Sequence, residues 1–242
     1  QTGKLFINGT AEKPVYFTAL VDDTACTSTT VSCDANNDGS ATLPQEGGLW
    51  QRLEYRNTSG GGNVTHAEFR YGSDGMLRVN AEAVTVADAK FVKSAGHGLN
   101  VLSATTQIER STFLDNRGNG IEAAVSSSSS APMAVTVKDC TFERNAAAVG
   151  LQPNVALLSS GNQTPGNTNR INGYQVNGGS ITVPRTWRAG DLPFVVADRA
   201  TVDLSQSTDT LGPSLTIEPG AVVKMGQDAK IVVSKGGLNV GR

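Results

Sequence analysis

The chain has 242 residues and is nearly neutral, with 20 basic and 22 acidic side chains and a formal net charge of −2. Nucleic acids and anionic membrane surfaces select clustered basic faces, and this sequence has no block of like charge, so we expect neither as a partner. Its apolar runs all fall short of the roughly 20 residues that span a bilayer, so we expect no membrane insertion. The charged fraction of only 17% and the abundant Gly, Asn, Ser, Thr and Val favour short strands and frequent turns.

The first residues, Gln1-Thr2-Gly3, are polar and lack the apolar stretch of a signal peptide, as expected of a processed or excerpted chain. Further along, Cys26 and Cys33 are seven positions apart in a polar Ser/Thr/Asn loop. A small disulfide loop can close over that spacing in an oxidising compartment, and two free surface thiols are the alternative. We therefore expect a secreted or cell-surface protein.

An Asp-rich segment follows, with the sequence Asp34-Ala35-Asn36-Asn37-Asp38-Gly39. Oxygen-bearing side chains at its first, third and fifth positions, followed by a glycine for the sharp turn, are how an EF-hand loop wraps Ca²⁺. The twelfth position, where an EF-hand has a bidentate Glu, is Gln45, so another acid has to complete the site. Asp22 and Asp23, at the other foot of the loop, are candidates. We predict a structural Ca²⁺ site in a loop insertion at about 22–46, and a solvated Asx-turn loop is the alternative.

The central part of the chain carries a 22-residue repeat. Segments 64–69, 86–91 and 108–113 align without gaps, and each runs from an apolar residue to a Phe. A fourth copy, 137–142, arrives after 29 residues, because a Ser-rich loop at about 126–132 adds seven. Each copy predicts a short alternating strand, a Gly/Asn turn and a second alternating strand. About 22 residues per turn suits a coil of two or three short strands, so the repeat predicts a parallel β-helix. Parallel crossovers are almost always right-handed, so we expect a right-handed coil.

The register of the repeat predicts where single side chains lie. The four Phe residues at 69, 91, 113 and 142 are expected to form an aromatic ladder inside the coil. Cys140 shares the register of Ala67 and Ala89, an inward position for a small side chain, which indicates a buried and inert thiol. Asn116 and Asn145 are expected at a turn, where small polar residues tolerate left-handed backbone geometry.

The apolar segments in the last part of the chain have a different spacing. Residues 152–180 are less regular, and we expect irregular loops around a further rung there. Beyond them, short apolar segments such as Leu215–Ile217 and Leu238–Val240 are broken by Gly and Pro turns. We interpret these segments as a continuation of the coil, so that residues 1–242 form one all-β domain.

One stretch in this part, Leu215-Thr216-Ile217-Glu218-Pro219-Gly220-Ala221-Val222-Val223-Lys224-Met225-Gly226, follows Trp187 and Leu192–Val196. With them it resembles the repeat-containing, non-enzymatic surface members of the bacterial extracellular right-handed β-helix proteins, in the pectate-lyase-like superfamily. These relatives often carry an Asp-rich insertion similar to the one at 34–39. The resemblance covers most of the chain and implies the fold. It says little about activity, because the superfamily includes lyases, hydrolases, adhesins and purely structural coils.

Sequence features that support catalysis are few. Gly96-His97-Gly98 and Asp22-Asp23 are similar to motifs of the polygalacturonases, but more than three rungs separate them and the remaining motifs of those enzymes are missing. His97 directly precedes the turn at Gly98, so we interpret it as a turn histidine. Arg110, Asp88 and Asp139 lie near one register, which indicates a solvated salt-bridging column. We name no catalytic residue and expect no enzyme.

The two ends of the sequence resemble one another. Leu238 and Val240 match Leu5 and Ile7, so the last strand segment of the chain has the same apolar pattern as the first. The chain is then either an excerpt from a longer tandem array or a subunit that stacks head to tail. A third possibility is that the boundaries of the sequence are arbitrary and that no assembly occurs. Unpaired strand edges normally need a cap or a partner. We predict an extracellular structural or adhesive module whose partners are further copies of itself, neighbouring repeats or surface polysaccharide. A carbohydrate-active or carbohydrate-binding β-helix is the alternative.

Overall fold

The computed structural model describes residues 3–25, 33–39, 41–44, 48–81, 83–102, 105–125, 133–204 and 213–241. Within these ranges the chain forms 25 short strands, all paired in parallel in five sheets, and one turn of 3₁₀ helix at Pro165–Asn167. Among the described residues, no helix has the length and apolar character needed to cross a membrane.

Three sheets build the first two thirds of the coil, and each successive turn adds one strand to each of them. Sheet 1 contains, in spatial order, β1 (Leu5–Asn8), β4 (Gly62–Thr65), β7 (Val84–Ala87), β10 (Thr105–Glu109), β13 (Ala134–Lys138) and β16 (Ala156–Ser160). Sheet 2 contains β2 (Val15–Phe17), β5 (Ala67–Arg70), β8 (Lys90–Val92), β11 (Thr112–Leu114) and β14 (Thr141–Glu143). Sheet 3 contains β3 (Leu53–Tyr55), β6 (Leu77–Val79), β9 (Leu99–Val101), β12 (Ile121–Ala123), β15 (Ala147–Leu151), β17 (Ile171–Val176), β20 (Phe194–Val196) and β23 (Val223–Met225).

The strand register follows the 22-residue repeat of the sequence. Val64 pairs with Val86, which pairs with Ile108, and Ile108 pairs in turn with Val137 across the 29-residue interval. Parallel pairing in register places equivalent residues of successive turns above one another. The predicted all-β parallel β-helix with about 22 residues per turn is therefore confirmed, while the loop expected at 126–132 lies outside the described residues.

Sheet 3 runs on into the last part of the chain, while the other two faces are rebuilt. Residues 152–180 contain the rung expected there, formed by β16, the 3₁₀ turn and β17. Sheet 4 follows, with β18 (Gly179–Ser180), β21 (Thr201–Asp203) and β24 (Lys230–Val232). Sheet 5 contains β19 (Arg185–Trp187), β22 (Ser214–Ile217) and β25 (Gly237–Val240). Because β19 contacts β16, sheet 5 follows sheet 1 along the coil.

The aromatic ladder predicted from the repeat is present inside the coil. The rings of Phe69, Phe91, Phe113 and Phe142 are fully buried and stack with centroids 5.0 Å apart and planes within 10°. Phe17 on β2 adds a fifth ring at 4.9 Å, which the sequence did not predict because the loop insertion separates it from the repeat. Each stacked pair contributes about 0.5–1.5 kcal/mol beyond the burial of the rings.

The turn that follows sheet 2 differs from the prediction. The left-handed backbone falls one position before the expected asparagines, at Asp115 (φ 56°) and Arg144 (φ 53°). Asn116 and Asn145 instead point inward and are buried, because their amides satisfy backbone groups that the turn leaves unpaired. The Asn145 amide donates to the Phe113 carbonyl at 3.0 Å, and its oxygen accepts the Asn116 backbone N–H at 3.3 Å. Asn169 continues this asparagine ladder in the next turn.

Candidate metal centre in the loop insertion

The candidate metal centre lies in the insertion between β2 and β3, where the chain turns from sheet 2 to sheet 3. One carboxylate oxygen from each of Asp23, Asp34 and Asp38 lies within 4.8 Å of the others. The insertion therefore brings together acids from both of its arms, as the sequence predicted for Asp23 and the Asp-rich segment. Three carboxylates this close repel one another unless a cation or a proton intervenes.

The Asp-rich segment folds into a tight turn around Asp34. The Asp34 carboxylate accepts hydrogen bonds from the backbone N–H groups of Asp38, at 3.0 Å, and Gly39, at 2.8 Å. Asn37 and Gly39 have φ angles of 57° and 73°, the left-handed region that Asn and Gly tolerate best. This geometry curls the segment so that the side chains of its odd positions share one side of the turn.

Several side-chain oxygens of the insertion are buried and accept no hydrogen bond from the described residues: both carboxylate oxygens of Asp23, Oδ1 of Asn36 and Oδ1 of Asp38. The nitrogen of the Asn36 amide is engaged, since it donates to Asp38 Oδ2 at 2.8 Å and to Thr42 at 3.1 Å. Thr42 also donates to Asp38 Oδ2. Desolvated oxygens without donors are costly, and hard oxygen ligands are what Ca²⁺ prefers. The residues present therefore fit a Ca²⁺ ion.

The surroundings of Asp23 oppose its ionisation. Burial raises its pKa, and the negative charges of Asp34, Asp38 and Asp22 raise it further. A divalent cation at the cluster would reverse both effects, because it stabilises the ionised carboxylate.

Asp22, which the sequence also suggested as a ligand, is engaged in a different set of contacts. Its buried carboxylate accepts hydrogen bonds from Thr18 at 2.5 Å and from Thr24, and it lies 3.6 Å from the guanidinium of Arg70. Burial opposes its ionisation, but the hydrogen bonds from both threonines and the charge of Arg70 together lower its pKa. Asp22 thus lies outside the group of converging oxygens. Arg70, which holds it, was not recognised in the sequence, because no spacing rule connects residues 48 positions apart.

The sequence predicted a buried thiol at Cys140 and a disulfide between Cys26 and Cys33. Cys140 is free and fully buried, as its register predicted, and burial raises the pKa of its thiol to about 12. A thiol with that pKa is protonated at neutral pH and inert. Cys26 lies outside the described residues, as does Gln45, so the Cys26–Cys33 disulfide stays a prediction.

Comparison with known proteins identifies the family. A family model described as right handed beta helix region matches residues 24–183 of the chain. The chain belongs to the right-handed β-helix family. The match begins inside the loop insertion and ends after β18, and sheet 3 carries the coil beyond it. Searches of curated proteins and of solved structures found no match.

The outer surface of this β-helix has a groove of about 490 Å³ along the corner between sheets 1 and 2, lined in part by Tyr16, Glu68 and Asp88. The two acids are ion-paired: Glu68 lies 2.7 Å from Arg70, and Asp88 lies 2.9 Å from Arg110. The hydrogen bond from Arg110 lowers the pKa of Asp88. A general acid at neutral pH needs a raised pKa, so the lowered pKa of Asp88 does not suit that role.

His97 and the charged column at Arg110, Asp88 and Asp139 make contacts within the coil. His97 lies in a turn, and its Nδ1 accepts the backbone N–H of Asn119 at 2.9 Å. Arg110 donates to both carboxylate oxygens of Asp88 at 2.9 Å, which is the salt-bridging column that the register predicted. Asp139 lies beside Lys138, at 3.9 Å.

Proposed function

We propose that this chain is a structural or adhesive module of an extracellular protein, a stiff β-helical rod that joins end to end with a second copy of itself. The apolar side chains exposed on the terminal strands carry this proposal. Leu5 on β1 is 38% exposed, and Leu238 and Val240 on β25 are 40% and 65% exposed. Such side chains are normally buried, and here they lie on strands whose outer edges have no described neighbour.

The two ends are complementary in register. β25 is the last strand of sheet 5, which follows sheet 1, and β1 is the first strand of sheet 1. In sheet 5, Leu215 pairs with Leu238 and Ile217 pairs with Val240. A second copy's β1 added in parallel to β25 would place Leu5 on Leu238 and Ile7 on Val240, which continues both apolar columns. Burying these side chains favours association by about 25 cal/mol per Å² of apolar surface.

Calcium has a structural role in this proposal. The ion would be held by Asp23, Asp34, Asn36 and Asp38, where it would neutralise the converging carboxylates and fix the insertion against sheet 2. The Cys26–Cys33 disulfide would close the same insertion in an oxidising environment outside the cell. Mass spectrometry of the alkylated protein before and after reduction tests the disulfide.

Head-to-tail stacking is tested by sedimentation velocity and electron microscopy over a rising concentration of the purified chain. We expect concentration-dependent particles whose axial repeat equals the length of one subunit. Leu238→Asp puts a charge on the proposed joint and should abolish them. Leu158→Asp, at a leucine on β16 that is 44% exposed, is the matched control and should assemble like the unmodified chain. A monodisperse monomer at every concentration would contradict the proposal.

A carbohydrate-binding role is the second candidate, because Tyr16 and several charged side chains line the outer groove. Titration with acidic and neutral oligosaccharides, in parallel with a Tyr16→Ala variant, tests it. Binding that depends on Tyr16 would support this role, and depolymerisation of a polysaccharide would overturn our view of the chain as non-enzymatic.

A further inference from the structure

Arg70 connects the coil to both ends of the loop insertion, which we call the first foot (residues 22–24) and the second foot (Trp50). It ends β5 in sheet 2, and its guanidinium reaches the first foot, where Nη1 lies 3.6 Å from Asp22 and 3.2 Å from the Thr24 hydroxyl. Its backbone carbonyl accepts the indole N–H of Trp50, on the second foot, at 2.7 Å. One residue of the coil thus contacts both ends of the insertion.

The guanidinium of Arg70 is itself held in place. Its Nε donates to Glu68 at 2.7 Å, and its plane lies over the ring of Tyr16, 5.1 Å from the centroid. The side chains of Arg70 and Asp22 are 19% and 0% exposed. An ion pair that is shielded from water and fixed by neighbours loses little to screening or to side-chain disorder, unlike most surface pairs.

We propose that Arg70 is a positioning residue that sets the Ca²⁺ affinity of the insertion by holding Asp22. This inference rests on the Ca²⁺ site of the proposed function. Asp22 directly precedes Asp23, so the contacts that fix the Asp22 carboxylate also fix the direction in which the Asp23 side chain leaves the chain. Asp23 is the ligand that joins the first foot to Asp34 and Asp38.

The consequence is a preorganised site. Without Arg70, the first foot would have to be ordered when the metal binds, and the lost freedom would weaken binding. Residues that orient metal ligands typically change metal affinity by about 10- to 100-fold when they are removed. The same loss should follow from Asp22→Asn, because that change removes the carboxylate that Arg70 holds.

The test is calorimetric titration of the full chain with CaCl₂ after removal of metal with EDTA. We expect Arg70→Met to weaken Ca²⁺ binding by about tenfold or more, and Arg70→Lys to recover part of that loss because a charge can still reach Asp22. Arg110→Met is the matched control. It breaks a comparable arginine–carboxylate pair on the same coil, away from the insertion, and should bind Ca²⁺ like the unmodified chain.

A double-mutant cycle with Asp22→Asn distinguishes positioning from general damage. If Arg70 acts through Asp22, the double variant should bind Ca²⁺ about as well as either single variant. Circular dichroism and melting in EDTA show for each variant that the coil is folded, and Asp22→Asn carries the test if Arg70→Met does not fold. Unchanged Ca²⁺ binding in folded Arg70→Met and Asp22→Asn would overturn the role of Arg70 alone. No Ca²⁺ binding by the unmodified chain would overturn the metal site and this inference together.

Discussion

Among single residues, the buried asparagines show how this coil closes its turns. Asn145 is 4% exposed and uses its amide in both directions, as a donor to the Phe113 carbonyl and as an acceptor from Asn116. A buried polar group costs little when it is paired, but it costs about 1–3 kcal/mol when its partner is removed. The asparagine ladder is therefore a stabilising feature in an otherwise apolar interior.

We expect Asn145→Ala to reduce the free energy of unfolding by about 2–4 kcal/mol, because it leaves a buried carbonyl and a buried N–H without partners. Urea unfolding followed by circular dichroism measures the change. Asn100→Ala, on the outer face of sheet 3, is the control and should change the free energy of unfolding by less than about 0.5 kcal/mol. Equal losses in the two variants would contradict this account of the ladder.

Arg185 is the opposite case, a buried charge that has no counter-charge among the described residues. It is 7% exposed and pairs in register with the core residue Leu215. Nε and Nη1 donate to the carbonyls of Asn154 and Pro184, while Nη2 has no partner within the described part of the chain. Burial lowers the pKa of this guanidinium.

Replacing a buried, poorly compensated charge with an apolar side chain of similar length is often neutral or stabilising. We therefore expect Arg185→Met to keep or raise the melting temperature. Arg185→Ala should lower it, since truncation leaves a cavity. Calorimetric scans of both variants decide the question, and a large loss in Arg185→Met would indicate that the charge has a partner after all.

At the scale of elements, the loop insertion is the part of the coil whose stability we expect to depend on Ca²⁺. Its acids converge, and several of their oxygens are buried without a donor among the described residues. A ligand that binds only the folded state stabilises it by RT ln(1 + [L]/Kd), which is about 2.7 kcal/mol at one hundred times Kd.

EDTA is expected to lower the melting temperature of the chain, and excess Ca²⁺ is expected to restore it. Mg²⁺ should restore less, because it demands a tighter octahedral geometry than this loop of carboxylate and amide oxygens provides. In Asp38→Asn the response to Ca²⁺ should largely disappear, whereas Asp74→Asn, an acid outside the insertion, should keep it. A melting temperature that does not depend on Ca²⁺ would remove the site from the proposed function.

At the scale of the whole molecule, the coil combines a continuous apolar interior with ends that expose apolar side chains. Sheet 3 runs through eight strands, while the other two faces change identity after β16 and the 3₁₀ turn. The first and last described turns of such a coil leave strand edges and apolar side chains exposed.

If copies stack through these ends, folding and association are linked, and the melting temperature should rise with protein concentration. Scanning calorimetry over a hundredfold range of concentration measures this. Leu238→Asp should make the melting temperature independent of concentration, and Leu158→Asp should not. A melting temperature that is constant for the unmodified chain would argue that the ends remain free.

The periodicity of the sequence by itself determined the coil, its register and the inward positions of Cys140 and the stacked Phe residues. It could do so because parallel strands one turn apart must place equivalent residues above one another, which makes spacing along the chain a direct measure of position in space. The Asp-rich segment was likewise visible, since its ligands are close in sequence.

Only the tertiary structure placed the residues that the 22-residue spacing does not relate to one another. Phe17 and Asn169 join their ladders across inserted segments, so their offsets from the repeat carry no signal. Asp22 and Asp23 are adjacent and equivalent in the sequence. In the structure, the Asp22 carboxylate lies near Arg70, whereas the Asp23 carboxylate lies near Asp34 and Asp38. That choice depends on an arginine supplied by a different turn of the coil, and contacts between distant residues arise only when the whole chain folds.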